Sequence, residues 1–236
     1  MARRVHRVQR TPSTQDVLHE LAAAGAAAGT VVIAGEQTAG RGSRGRAWAS
    51  PAGGLWMSVL LRPEVAPALE VLSLRVALAV SAAIEAVVPG IALQLKWPND
   101  LVLAGRKLGG ILCEARWQGN SLGWVAVGVG VNVANGIPEA LGTSAIALAM
   151  LVPGAEPDPL TEPIAAAITV LGDRQGHLTE DELASFRARD WLAGKRLREP
   201  VTGTAGGVGR DGALLLRRDD GVIQEVRSGS VLTVDG

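Results

Sequence analysis

The amino-acid sequence predicts an α+β protein in which a β-sheet is flanked by helices and followed by a small all-β unit. Three observations predict it. Apolar, strand-like runs recur at 30–34, 53–61 and 124–133, set off by the glycines and prolines that bound buried strands. Ala66 to Val88 carries apolar residues at helical spacing, long enough for a core helix. From Trp191 onward the chain alternates short strands with glycine turns, an antiparallel barrel of about 45 residues that is too small for much stability without docking. The expected units are 1–190 and 191–236.

In chain order, the Val5/Val8 pattern of the first ten residues is too brief to choose between a strand and an arm. Thr11-Pro12-Ser13-Thr14 turns into a helix over 15–28. Ser13 or Thr14 suits its N-cap, and Asp16 suits the dipole of its first turn. Gly29 ends that helix and the strand 30–34 follows. Strand 53–61 stops at Pro63, and the long helix leads to a strand at 92–96. That strand runs into Trp97-Pro98-Asn99-Asp100 and continues as Leu101-Val102-Leu103. Ala104-Gly105-Arg106 turns the chain into a hairpin partner from Lys107 to Glu114. Strand 124–133 puts Gly128, Gly130 and Asn132 on one face, where something must approach the backbone closely. Helices are expected at 143–151, 160–175 and 180–190, and terminal strands at 195–198, 203–209, 213–216 and 222–226.

Composition narrows the function classes. An apolar content of 47% supports a substantial core, and a formal net charge of zero argues against a broad electrostatic hold on nucleic acid. The lone Cys113 excludes an internal disulfide and fits a reducing cytoplasm, where the chain is expected. No signal peptide or unbroken membrane-length apolar run is visible. Lysine is scarce: Lys96, Lys107 and Lys195 are the only three, so each is a better functional candidate than a lysine usually is.

The chemistry concentrates in two stretches. Gly35-Glu36-Gln37-Thr38-Ala39-Gly40-Arg41-Gly42-Ser43-Arg44-Gly45-Arg46-Ala47-Trp48 follows a strand and packs three glycines and three arginines into seven residues. Glycine permits close approach to a ligand, and arginine offers planar donor forks for phosphate or carboxylate. It reads as an anion-gripping loop, against the plainer alternative of an arginine-rich surface turn. Lys96-Trp97-Pro98-Asn99-Asp100 lies at a strand exit and Lys107 at the start of the neighbouring strand. Singly, Lys96 or Asp100 suits a salt-bridged strand end. Together, cations, an amide and one carboxylate suit a nucleoside phosphate with Mg²⁺.

On these residues the chain resembles the biotin–protein ligases of the single-function bacterial type. Ser13-Thr14, Gly40–Trp48, Lys96–Asp100, Lys107–Leu112 and Gly128–Val133 match that family's motifs in order and spacing, and Arg210–Leu216 resembles its C-terminal barrel. The resemblance implies a mixed sheet like that of class II aminoacyl-tRNA synthetases and lipoate ligases, with an SH3-like C-terminal domain. It implies the reaction too: biotin and ATP form biotinyl-5'-AMP with loss of pyrophosphate, and a lysine of a biotin carboxyl carrier protein takes the biotin. Mg²⁺ is the implied cofactor, and homodimerisation is left open.

Residue roles are likewise implied by the resemblance. Ser13, Thr14, Gln37 and Gly40 would serve biotin, with the backbone of Gly110 and Ile111 and the rings of Trp48 and Trp56. Arg41 and Lys107 would bracket the biotin carboxylate and the α-phosphate. Gly42, Ser43, Arg44, Arg46, Asn99 and Asn132 would hold ATP or the adenylate, and Lys96 and Asp100 the reacting phosphates, with Asp100 the metal ligand. Cys113 reads as a buried inert thiol, and His6, His19 and His177 match nothing in the family. Two features depart from it. Ser43 stands where the family usually has arginine, and the motifs begin at Ser13, leaving no room for the DNA-binding domain of the larger members. The rival readings are a lipoate–protein ligase, whose Arg-Arg-x-Ser-Gly-Gly-Gly loop is absent, and a regulator that only senses biotinyl adenylate. Zero net charge predicts no specific DNA binding. Footprinting at physiological salt, with and without biotin and ATP, is expected to show no protected site.

Overall fold

A computed structural model describes residues 4–234. In chain order its main unit comprises β1 (Val5–Thr11), α1 (Thr14–Ala23), β2 (Val31–Gln37), β3 (Leu55–Leu61), α2 (Leu69–Val87), β4 (Gln94–Lys96), β5 (Asp100–Leu103), β6 (Arg106–Gln118) and β7 (Ser121–Val131). The sheet order is β1-β2-β3-β7-β6-β5-β4. Only β1 and β2 run parallel, because α1 carries the chain back between them; every other neighbour is antiparallel. The sheet is therefore mixed, as expected.

β3 lies inside the sheet between β2 and β7, and all seven of its residues are buried. Strand alternation sends Leu55, Met57, Val59 and Leu61 into the larger core beneath α2, and Leu60 into a smaller cluster with Leu18 and Ala22 of α1. Each such aliphatic side chain removed from water contributes about 1.5–3 kcal/mol. Ser58 is the polar exception on the α1 face. Its Oγ lies 2.8 Å from Thr14 Oγ1, so the hydroxyl pair satisfies itself inside the core.

Several boundaries differ from expectation. α1 ends at Ala23, not at residue 28, because Gly25 already takes φ 89°, and the chain then loops to Gly29. The Val5/Val8 segment is a full strand, since β2 offers it an edge. The helix expected at 143–151 does not form. Residues 144–146 lie extended along β6, where Lys107 N–H donates to Ser144 O (2.8 Å) and Ile146 N–H donates to Lys107 O (3.0 Å). Only Leu148–Met150 makes a single 3₁₀ turn. The fully buried Ile146 and Leu148 reach the core from this extended path, so tertiary pairing overrides their helical spacing. Helices α3 (Asp158–Thr169) and α4 (Glu180–Arg189) follow.

The C-terminal strands β8 (Arg196–Glu199), β9 (Gly203–Val208), β10 (Leu214–Arg217), β11 (Ile223–Val226) and β12 (Leu232–Thr233) form a second, antiparallel sheet in the order β11-β10-β9-β8-β12. β12 was not anticipated; two residues give too little pattern. The sheet is docked on the main unit. The buried Trp97 donates its indole N–H to Gly212 O (2.9 Å), and Leu178 N–H donates to Arg210 O (2.7 Å).

Arg75 of α2 anchors α4 from within the core. Its guanidinium, 4% exposed, binds both carboxylate oxygens of Glu182 (2.9 and 3.2 Å) and the carbonyls of Gly176 and His177. Glu182 also closes a capping box with Thr179. Partial burial pushes the Glu182 carboxyl up, but the Arg75 hydrogen bonds, the Thr179 N–H and the charges of Arg75 and Arg174 together hold it below its ordinary value. The pair's stabilisation is thus complete above the ordinary carboxylate pKa and is lost as pH falls through the lowered one. Glu182→Gln is expected to cost about 3 kcal/mol in urea unfolding near neutral pH, because it leaves a buried guanidinium uncompensated. The difference from the wild type should shrink in acid.

Candidate functional site

Two adjoining cavities open beside the starts of α1 and β6 and the end of β7. The smaller, about 280 Å³, is bounded by the first turn of α1, the glycine–arginine loop and the β6–β7 ladder at Gly110 and Gly130. The larger, about 570 Å³, is bounded by Lys96, Asp100, Asn132, Asn135 and Trp191. Ala47, Trp48, Lys107 and Leu141 line both, so they form the partition, with Trp48 and Lys107 its polar members.

The partition is built from backbone upward. Trp48 N–H donates to Gly40 O (2.8 Å), and a Cβ at Gly40 would lie 2.4 Å from Trp48 O, so only glycine fits there. The indole then lies across Gly130, where a Cβ would come 2.8 Å from its Nε1. Gly128 is covered likewise by Gln15, whose Nε2 donates to Leu112 O (2.9 Å). What approaches the glycine face of β7 is therefore two of the protein's own side chains. Each leaves a buried polar atom without a partner among the described residues: Gln15 Oε1 and Trp48 Nε1. Both residues border the smaller cavity, which thus has one acceptor and one donor unspent.

The remaining polar wall is preorganised. Gln37 Oε1 accepts from Thr14 N–H (2.8 Å) and Thr14 Oγ1 (3.2 Å), and its Nε2 donates to Ser50 Oγ (2.8 Å). Ser13 Oγ caps α1 through Gln15 N–H (3.3 Å). Asn99 is spent on the frame: Nδ2 donates to Ile111 O (2.6 Å), and Ile111 N–H donates back to Asn99 O (2.9 Å).

Four cations converge on this region. Lys107 Nζ sits 2.6 Å from Asp100 Oδ1 and 4.9 Å above the Trp48 ring. Its backbone N–H and C=O are both bonded by the 144–146 segment, so the ammonium hangs from a fixed strand start. Lys96 lies 5.0 Å from the Trp191 ring; burial lowers its pKa, and Asp100 opposes that fall. Arg41 pairs with Asp16 (2.8 Å) and Glu114 (3.5 Å). Arg46 folds onto Ser43, with Nη2 3.2 Å from Ser43 Oγ. Arg44 takes φ 62°, a conformation that costs a non-glycine residue about 1–2 kcal/mol.

Most residues expected at a site do meet here. Ser13, Thr14, Gln37, Arg41, Gly42, Ser43, Arg46, Trp48, Asn99, Lys107, Gly110 and Ile111 border the smaller cavity, and Lys96, Asp100 and Asn132 the larger. Three do not border either. Gly40 acts only through its backbone. Arg44 points away, its Nη1 donating to Ser230 Oγ (3.3 Å). Trp56 is withdrawn from the cavities: its ring tucks under Gly54 and its N–H donates to Pro51 O (2.8 Å). Sequence reasoning missed Gln15, Asn135 and Trp191. A buried amide in a first turn, such as Gln15, leaves no periodic signal. Asn135 was detectable as Asn-x-x-Asn; its Nδ2 donates to Asn132 Oδ1 (3.1 Å). Cys113, expected to be buried, is half-buried, and burial pushes its thiol up to about 12, so it stays protonated near neutral pH. Among the described residues no cluster of three or more His, Cys, Asp or Glu could hold a metal, and no helix is long and apolar enough to cross a membrane.

Residues 7–132 match the Biotin/lipoate A/B protein ligase family, and residues 194–232 the Biotin protein ligase C terminal domain. The chain is 38% identical over 240 residues to the biotin–(acetyl-CoA-carboxylase) ligase of Paracoccus denitrificans, covering 88% of this chain and 92% of that one. It is 44% identical over 126 residues to the bifunctional ligase/repressor BirA of Bacillus subtilis, a match that spans 38% of that protein. The fold superposes on the biotin protein ligase of Aquifex aeolicus in complex with biotin and ATP with a TM-score of 0.82, at 28% identity over 98% of both chains.

Proposed function

The chain belongs to the biotin/lipoate A/B protein ligase family, and from that premise we propose that it is an ATP-dependent biotin–protein ligase acting on a lysine of a biotin carboxyl carrier protein. The observation that carries the reading is Lys107, the one lysine on the wall common to both cavities. The smaller cavity suits the fused rings of biotin: Gln15 Oε1 and Trp48 Nε1 are the unspent acceptor and donor for its ureido group, beside a wall of Ser13, Thr14 and Gln37. The larger suits a nucleotide, with Asn132 and Asn135 toward the base and Lys96 toward the phosphates. The biotin carboxylate and the α-phosphate would then meet at the partition.

In the first step a carboxylate oxygen attacks the α-phosphorus, the bond to pyrophosphate breaks, and biotinyl-5'-AMP forms. Negative charge grows on the α-phosphoryl oxygens, and Lys107 and Arg41 are the preorganised cations placed to meet it. In the second, the carrier lysine amine attacks the acyl carbon and AMP leaves. Asp100, beside Lys96 and Lys107, is placed to receive the proton that this amine must lose. Neither step needs a nucleophilic side chain, in keeping with the inert Cys113. Asp100 fits Mg²⁺ as a single carboxylate ligand only if the phosphates of ATP supply most of the other oxygens. Bound there, the ion would neutralise the pyrophosphate leaving group.

The direct test is incubation with ATP, Mg²⁺ and a carrier domain, using labelled biotin in one arm and lipoate in another. Label on the carrier from biotin alone is expected; transfer from lipoate alone would replace the reading with lipoate ligation. Lys107→Ala should lower biotin-dependent pyrophosphate exchange at least about a hundredfold, since one preorganised donor is worth about 3 kcal/mol of barrier. The thermal midpoint should hardly move. Arg46, folded onto Ser43, is the arginine that replaces the charge missing at that position. Arg46→Ala is expected to speed release of preformed biotinyl adenylate about tenfold or more, one charge-assisted hydrogen bond's worth, and Arg44→Ala far less. Stopped-flow chase with unlabelled adenylate measures both.

A further inference from the structure

Arg41 does not reach into the smaller cavity from a free loop. Its two amino groups are held by two carboxylates from different elements: Asp16 of α1 takes Nη1 at 2.8 Å, and Glu114 of β6 takes Nη2 at 3.5 Å. The two contacts are not equivalent. The Asp16 side chain is 46% exposed, so water and salt screen it; the Glu114 side chain is 22% exposed.

Glu114 is itself fixed from behind. His19 Nε2 lies 2.9 Å from the same oxygen, Oε2, that meets Arg41. The indole of Trp124 donates to His19 Nδ1 at 2.8 Å. Because Nδ1 accepts, the imidazole proton sits on Nε2, which donates to Glu114. Trp124 is buried, and its ring belongs to the cluster that seats α1 on the sheet. The chain of contacts therefore runs from core to cavity: Trp124, His19, Glu114, Arg41. The His19 hydrogen bond, then Arg41 and Arg116, hold the Glu114 carboxyl below its ordinary value despite partial burial, so it is charged wherever the site would work.

We propose that Glu114, backed by His19 and Trp124, is the positioning residue that fixes the Arg41 guanidinium at the wall of the biotin-sized cavity. This rests on the ligase reading for its kinetic consequence, but not for its structural one. Asp16 is the exchangeable arm: an incoming carboxylate or phosphate can replace it on Nη1 while Glu114 keeps its hold on Nη2. Glu114 thus sets the direction from which Arg41 meets the ligand, and never touches the ligand itself.

Two readouts test this on the full-length protein. Trypsin must draw an arginine side chain into its own pocket, so Arg41 should be protected while the exposed Arg44 is not. In the wild type, cleavage after Arg41 is expected to be slower than cleavage after Arg44 by about tenfold, and Glu114→Gln should close most of that gap with no change in thermal midpoint. Kinetically, Glu114→Gln should lower kcat for biotin-dependent pyrophosphate exchange about tenfold or more, with KM for ATP little changed. Glu114→Asp, which keeps the charge, should recover part of it. In an Arg41→Ala background the same Glu114→Gln substitution should cost less than about twofold, whereas a merely structural role would subtract equally in both backgrounds. Equal protection of Arg41 in the wild type and Glu114→Gln overturns the proposal. So does a full tenfold loss in the Arg41→Ala background. If the wild type shows no exchange at all, the ligase reading fails, and the digestion alone decides the role of Glu114.

Discussion

The placement of the Trp48 ring against Gly130 is the contact on which the rest of the site depends. It separates the two cavities, and it supplies the π-face over which the Lys107 ammonium rests. It exists only because three separate segments cooperate. Gly40 brings the backbone close enough to orient residue 48, β7 offers a bare glycine under the indole, and β6 delivers Lys107 from the neighbouring strand. A side chain at Gly130 would take the space in which the ring lies, and one at Gly40 would strike the Trp48 carbonyl instead.

Around that contact, rigidity comes from backbone groups and from polar side chains spent on each other. Asn99 locks the β5 entry to Ile111, Thr14 and Ser50 hold both ends of Gln37, and residues 144–146 flank Lys107 as an extra extended segment. The atoms left over are few and specific: Gln15 Oε1, Trp48 Nε1 and the cationic heads. A preformed wall of this kind lets binding energy go into the ligand instead of into ordering the protein.

The charges are also distributed with restraint. Zero net charge coexists with a cationic patch in which Lys96, Lys107 and Arg41 each have a carboxylate or an aromatic face at hand and Arg46 lies on Ser43. Lys107 shares Asp100, Arg41 is divided between Asp16 and Glu114, and Lys96 leans on Trp191. Such pairs lower the cost of burying like charges together before an anionic ligand arrives.

Much of this could be read from residue order alone. The strands at 30–34, 53–61 and 124–133, the long α2 and the change of character after Trp191 follow from apolar periodicity and from glycine and proline punctuation, which are local properties of the chain. So does the grouping of Gly40–Trp48 with Lys96–Asp100 and Lys107, because those residue types at strand ends suit few tasks besides holding anions. Other features were decided only by packing. Helical spacing at 143–151 gave way to an extended path because β6 had an edge to fill at Lys107. Trp56, expected in the pocket, turned under Gly54, since strand register and not residue type sets where a ring points. Gln15 and His19 looked like ordinary helix residues until α1 was seated against β6 and β7. Contacts between residues about a hundred positions apart, such as His19 with Glu114 or Trp97 with Gly212, leave no periodic trace in the sequence, because their energy appears only when the chain has folded.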